Sequence, residues 1–182
     1  ELNLLSTIHL RHGRLEEARI TQQRQLETYR ALNNQANIAG ALNNLGSTLV
    51  KMKKNEEARD VLQEALVLRE RLDGVDSKDV AQTLNNLSNT QLNLGQLQEA
   101  RTTAERALRI METHFYEEDP PLYANILARN AQVIFKIGGD ANLNCSTNQL
   151  NQAIAIQIQQ FGAADKVYTD LLAQIEEKQR RK

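Results

Sequence analysis

The side chains best suited to chemistry in this sequence are few and scattered. His9 and His12 stand at i and i+3 and could share a metal, but no carboxylate or thiol follows at ligand spacing. His9 therefore reads as a filler of the core. The pairs Glu16-Glu17 and Glu56-Glu57 would do general acid–base work only if they converged in a cleft. Each pair opens a helix instead, where acids complement the helix dipole. Cys145 is the single thiol, which excludes an internal disulfide, and its polar surroundings read as a loop. The basic run Lys178-Gln179-Arg180-Arg181-Lys182 follows Glu176-Glu177 and reads as a solvated helix end. No phosphate-binding loop, zincin motif, Gly-x-Ser-x-Gly or paired CxxC occurs. The expectation is a protein that is not an enzyme, with no cofactor and no metal.

The elements that must position any binding residues are helices. The only two prolines are adjacent, Pro120 and Pro121, so almost the whole of the 182 residues is free to be helical. Alternating β-branched and aromatic runs are absent. Hydrophobic residues make up 41%, aromatics 4%, and there is no Trp, which suits paired amphipathic helices better than a thick core. A net charge of −1 supplies no global field towards nucleic acid or an anionic membrane, so neither is expected as a partner. No stretch has the apolar length of a bilayer span, and no signal-peptide pattern opens the chain. A cytoplasmic setting is the default, and the start at Glu1, already helical in pattern, reads as a piece of a longer protein.

Self-similarity settles the organisation. Leu42-Asn43-Asn44-Leu45 returns 42 residues later as Leu84-Asn85-Asn86-Leu87, with a weaker copy at Leu2-Asn3-Leu4-Leu5 and a fourth near Leu127. Glu16-Glu17-Ala18-Arg19, Glu56-Glu57-Ala58-Arg59 and Gln98-Glu99-Ala100-Arg101 fall at matching offsets. Each unit reads as two helices. Leu42, Leu45, Leu49 and Met52 form one stripe; Ala58, Val61, Leu62, Ala65, Leu66 and Leu68 form the other. Turns are expected at Gly13-Arg14, Lys53-Lys54, Gly95-Gln96 and Gly138-Gly139. Gly46 or Ser88 facing Ala58 or Ala100 would let the axes approach. Asp76 and Ser77 read as a cap for a helix from Lys78, and Asp119-Pro120-Pro121 as a second start signal.

On these strings, "ALNNLG…NEEARDVLQEALVLRERL" and "TLNNLSNTQLNLGQLQEARTTAERALRI", the chain resembles the tetratricopeptide family, in its longer-period kinesin light chain and nephrocystin form. The resemblance covers about residues 2–161 and is best over 41–111. It implies an all-α, right-handed α-α superhelix: one domain over 1–182 with hairpins at about 1–34, 35–75, 76–118 and 119–162, closed by a capping helix over 163–180 whose Val167, Leu171, Leu172 and Ile175 face inwards. Departures are Gln25 for a small alanine, Gln91 for a large apolar residue, Asn130 for a leucine, and 142–149, which is expected to disrupt the turn before the last paired helix.

The resemblance further implies that first helices line a concave, peptide-binding face. Carried over by position, it marks three rows: Asn3, Asn43 and Asn85, broken by Ala128; then Thr7, Ser47, Asn89 and Gln132; then Arg11, Lys51, Asn93 and Lys136. Side-chain amides can pair with an extended backbone, and the cations favour an acidic segment. The bland reading of Asn43, Asn44, Asn85 and Asn86 is that they bond across helices and orient the stack. The family's clamp for chaperone tails wants lysine where Asn43 and Asn85 stand, which argues against such tails. The expected function is a protein–protein interaction scaffold that binds another protein or peptide. The alternative is a regulatory arm that docks on a neighbouring domain of its own protein or self-associates.

Overall fold

A computed structural model describes residues 2–138 and 140–181. Gly139 of the expected fourth turn and Lys182 of the basic tail lie outside the described residues. Among the described residues the chain is all helix: α1 (Leu2–Arg11), α2 (Leu15–Ala31), α3 (Gln35–Lys51), α4 (Asn55–Asp73), α5 (Lys78–Asn93), α6 (Leu97–Ile110), α7 (Pro120–Ile137), α8 (Asp140–Phe161) and α9 (Lys166–Arg180). A π-helical turn, Met111–Phe115, extends α6. Two compact units divide the chain, Glu1–Leu94 and Gly95–Lys182.

In the first unit each helix packs on its successor, and α3 also touches α5. The core gathers Leu26, Ile38, Ala41, Leu42, Leu45, Leu49, Ala58 and Ala65, with Tyr29, Val50, Val61 and Leu68 against it. These are the two apolar stripes of the repeat. Met52 is only half-buried because it lies past the end of α3, as its C-cap. The close approach at Gly46 differs from the expected one: a Cβ there would meet Leu62 Cγ at 2.5 Å, so Leu62 rather than Ala58 fills the space that glycine leaves.

The turns share one backbone device. Gly13 and Gly95 have positive φ of 69° and 76°, Lys53 has 62° without being glycine, and Gly138 ends α7 with φ 84° and an extended ψ of −174°. The inter-hairpin starts are capped by side chains. Ser77 accepts a hydrogen bond from the Val80 N–H at 3.2 Å, and Asp119 accepts one from the Leu122 N–H at 3.1 Å.

In the second unit α6 packs on α7, α7 on α8, and α9 on both α7 and α8. Residues 142–149 do not disrupt the last hairpin; they lie within the continuous helix α8. Leu143, Ser146, Leu150 and Ala153 keep a buried stripe at helical spacing. The polar residues between them bond back along the same helix, Ser146 Oγ to the Asn142 carbonyl and Thr147 Oγ1 to the Leu143 carbonyl. Cys145 accordingly sits on a helix, not in a loop, and is exposed. In α9, Ile175 is buried and Leu171 and Leu172 half-buried, but Val167 is exposed. Tyr168 takes the inward position instead, because Val167 is in the first turn, beside the Asp165 cap.

Candidate functional site

The polar rows fall on first helices, where a four-residue spacing returns side chains to one face. In the first unit they do not all share one exposure. Asn43 is buried, and its Oδ1 accepts a 3.0 Å hydrogen bond from Asn86 Nδ2, tying α3 to α5. That is the stack-orienting role. Asn44, beside it, is exposed. Asn3 accepts from Gln25 Nε2 at 2.7 Å, and Gln25 also donates to the Tyr29 hydroxyl. The buried glutamine where an alanine was expected is thus held by two oxygen acceptors. Thr7 Oγ1 bonds back to the Asn3 carbonyl, and Arg11 is exposed.

The remaining residues of these rows are more open. Ser47 and Asn89 are half-buried, and Lys51 and Asn93 are exposed. Asn93 Nδ2 reaches Asn55 Oδ1 at 3.3 Å, which holds it beside the start of α4. Asn85 is half-buried, and its Oδ1 is a buried acceptor without a protein donor. The Gln91 carbonyl oxygen is in the same condition. A buried unpaired acceptor is uncommon and marks a place where a donor is wanted.

In the second unit Ala128 is buried, Gln132 half-buried and Lys136 exposed, all on α7. Gln132 Oε1 accepts from Arg129 Nη1. Asn130 is buried where a leucine was expected and donates to Gln149 Oε1 at 3.2 Å, tying α7 to α8. Sequence reasoning passed over Arg129, Asn125 and Tyr168. The Tyr168 hydroxyl donates to Asn125 Oδ1. Burial pushes the Tyr168 phenol up to about 12, with Asp165 adding to the rise and Arg129 opposing it. Burial also lowers the Arg129 pKa, against a smaller opposite effect of Tyr168. The signal was available: Asn125, Arg129, Gln132 and Lys136 lie at i, i+4, i+7 and i+11, a single helical stripe.

The chemical candidates stay apart. His9 is half-buried with Nδ1 unpartnered, while the exposed His12 pairs Nδ1 with the Ile8 carbonyl at 2.8 Å. Among the described residues no group of three potential metal ligands gathers. Glu16 pairs with Arg19, whose guanidinium holds its carboxyl below the usual range, opposite to what a general acid needs. Glu56 pairs with Arg59 at 2.7 Å and Glu57 with Lys54 at 3.8 Å, all at the surface. No helix among the described residues is long and apolar enough to cross a membrane.

Residues 37–113 match the tetratricopeptide repeat family model, and over that stretch the chain is built of tetratricopeptide repeats. Solved structures share the fold. BtubC (BKLC) from P. vanneervenii superposes with a TM-score of 0.74 at 24% identity, over 91% of this chain and 65% of that one. This chain therefore spans less than two thirds of BtubC. A protein of nearly identical TPR-like repeats from Podosopora anserina, assigned to the kinesin light chains, gives 0.75 at 14% identity over 100% of this chain and 86% of that one. A point variant of it gives 0.76 with the same identity and coverage. No curated protein matches in sequence. The fold is the all-α TPR solenoid of kinesin light chain-like proteins. Tetratricopeptide repeats generally mediate protein–protein interaction, and their folds are typically scaffolds and not catalysts.

Proposed function

We propose that the chain binds acidic segments of another protein on the faces of its first helices, each unit by itself, with Ser47, Lys51, Asn89 and Asn93 as contacts in one unit and Gln132 and Lys136 in the other. The observation that carries this reading is the near absence of carboxylates from the first helices. Helices α1, α3, α5 and α7 hold a single carboxylate, Asp79, and that one pairs with Arg69. The second helices mix acids with arginines: Glu16, Glu17 and Glu27 with Arg19, Arg24 and Arg30 on α2, six acids with Arg59, Arg69 and Arg71 on α4, and Glu99 and Glu105 with Arg101, Arg106 and Arg109 on α6. A ligand lying along the first helices meets amides and cations, and an anionic one is favoured in rate and register. Asn43 stabilises the stack, and Asn85 offers its unpaired oxygen to a backbone N–H. Affinity capture from lysate with the wild-type chain, Lys51→Glu/Asn89→Ala and a second-helix control, Glu64→Lys, tests it. Partners that survive the control and are lost from the double variant are expected; equal retention by all three contradicts the proposal.

One observation favours contact with a second copy or a neighbouring segment as well. Leu5 and Ile8 occupy the register of Leu45 and Thr48, which are 5% and 1% exposed, yet are themselves 43% and 38% exposed. Leu4 beside them is exposed too. No described helix covers this aliphatic face, and terminal repeats ordinarily turn a polar face outwards. Light scattering over a micromolar concentration series should show association that Leu5→Lys/Ile8→Lys abolishes; a wild-type monomer throughout removes the self-association form of this reading.

A further inference from the structure

The expectation that alternating β-branched runs are absent does not hold at the end of α8. Ile154-Ala155-Ile156-Gln157-Ile158-Gln159 places isoleucine at every second position, the period of a strand, inside a helix. Taken as a strand, the segment would have one face of isoleucine and another of Ala155, Gln157, Gln159 and Phe161. Between Asn142 and Ala164 the chain carries no Asp, Glu, Lys, Arg or Pro. A second alternation, Val133-Ile134-Phe135-Lys136-Ile137, is interrupted by its lysine, the kind of charge that guards against strand stacking. The segment in α8 has no such guard. An uncharged, proline-free stretch of this kind can stack in register on copies of itself, with dry isoleucine packing on one side and a ladder of glutamine amides on the other.

The native helix holds this stretch with little buried surface. Helices α7 and α9 pack on α8, but its buried stripe of Leu143, Ser146, Leu150 and Ala153 stops at Ala153. Beyond that point Ile154, Ile156 and Gln157 are half-buried, while Ile158 and Phe161 are 51% and 66% exposed. Isoleucine also loses side-chain freedom in a helix, so these last turns gain less from helix propensity than leucine would give them. Opening the end of α8 breaks the 2.6 Å hydrogen bond from the Asp165 N–H to Gln157 Oε1 and gives up few buried side chains. We infer that residues 153–161 are a self-association segment, and that its partner is the same segment of a second copy. The end of α8 opens, and the freed chains pair as strands in a cross-β ladder. This contact is separate from the first-helix faces and from the Leu5 and Ile8 face.

The full chain is compared with Ile158→Lys, Gln159→Lys and Val67→Lys. Val67 is an exposed aliphatic residue on α4 and controls for lost surface apolarity. Each protein is agitated at the midpoint of its own urea transition, which removes differences in stability as a cause. Thioflavin T fluorescence is followed with and without wild-type fibril seeds. The wild type and Val67→Lys are expected to form fibrils that diffract at about 4.7 Å, after a lag that seeds shorten. Either lysine within the segment should lengthen the lag at least about tenfold and block growth on the seeds, because like charges would recur at every strand spacing. Gln159 is exposed and polar, so Gln159→Lys decides the matter should Ile158→Lys not fold. Proteolysis of the wild-type fibrils should leave residues 153–161 protected. No fibrils from the wild type, equal lags in all four proteins, or a protected core that omits 153–161 overturns the segment.

Discussion

Leu62→Ala should cost the first unit about 2–5 kcal/mol, as expected for emptying a fully buried leucine. Gly46→Ala should change sign with its background. In the wild-type chain the new methyl would sit 2.5 Å from Leu62 Cγ and 2.7 Å from Cδ2, and Leu62, fully buried, must shift within the core to admit it. Overpacking of this kind costs about 1–3 kcal/mol, against a gain of about 1 from replacing glycine within a helix. The net result is a loss. In the Leu62→Ala background the obstruction is gone, the methyl occupies part of the cavity, and Gly46→Ala should stabilise by about 1 kcal/mol. Urea denaturation of the four proteins measures the cycle. A stabilising Gly46→Ala in both backgrounds would mean that α3 and α4 do not meet at this contact.

Arg69 gives the second large effect. It is buried on α4, and its guanidinium donates to the Asp79 backbone carbonyl while lying 3.5 Å from the Asp79 carboxylate. Burial lowers its pKa, and Asp79 and Asp73 partly restore it. The contact spans the loop from Gly74 to Ser77 and fixes the start of α5 against α4. Arg69→Ala removes a charged hydrogen bond and the apolar stem beneath it, an expected loss of about 2–3 kcal/mol. Asp79→Asn removes only a carboxylate that is more than half exposed and leaves the carbonyl, so it should cost about 1 kcal/mol or less. Thermal melts of both variants separate the contributions. Equal losses would place the holding force on the carboxylate instead.

How far the sequence was legible follows from which signals are local. Leu42 to Leu49 and Ala58 to Leu68 carry the helical period in their own order, so the hairpins and the Ser77 and Asp119 caps could be read directly. The nature of the partner at each contact could not. Gly46 announced a close approach, but only three dimensions show that Leu62 fills it. Residues 142–149 looked like a break because their polarity hides the sparse stripe of Leu143, Ser146 and Leu150, and because Ser and Thr satisfy their hydroxyls within a helix. Asn43 and Asn89 belong to the same repeat pattern, yet one is sealed by Asn86 and the other partly open. Repeat position fixes the face of a helix and not the depth of a side chain upon it. Arg129 went unnoticed because the repeat register led to its neighbour Ala128.

The central claim is that the carboxylate-poor first-helix faces, and not the second helices, are the binding surface. Its most direct test is amide NMR mapping of the full chain with acetyl-hexaglutamate-amide as the acidic ligand. The account predicts saturable shifts around Ser47, Lys51, Asn89 and Asn93 in one unit and Gln132 and Lys136 in the other, with Glu64 and Glu105 on the second helices unmoved. Shifts confined to the second helices, or a set that ignores Lys51 and Lys136, would contradict it.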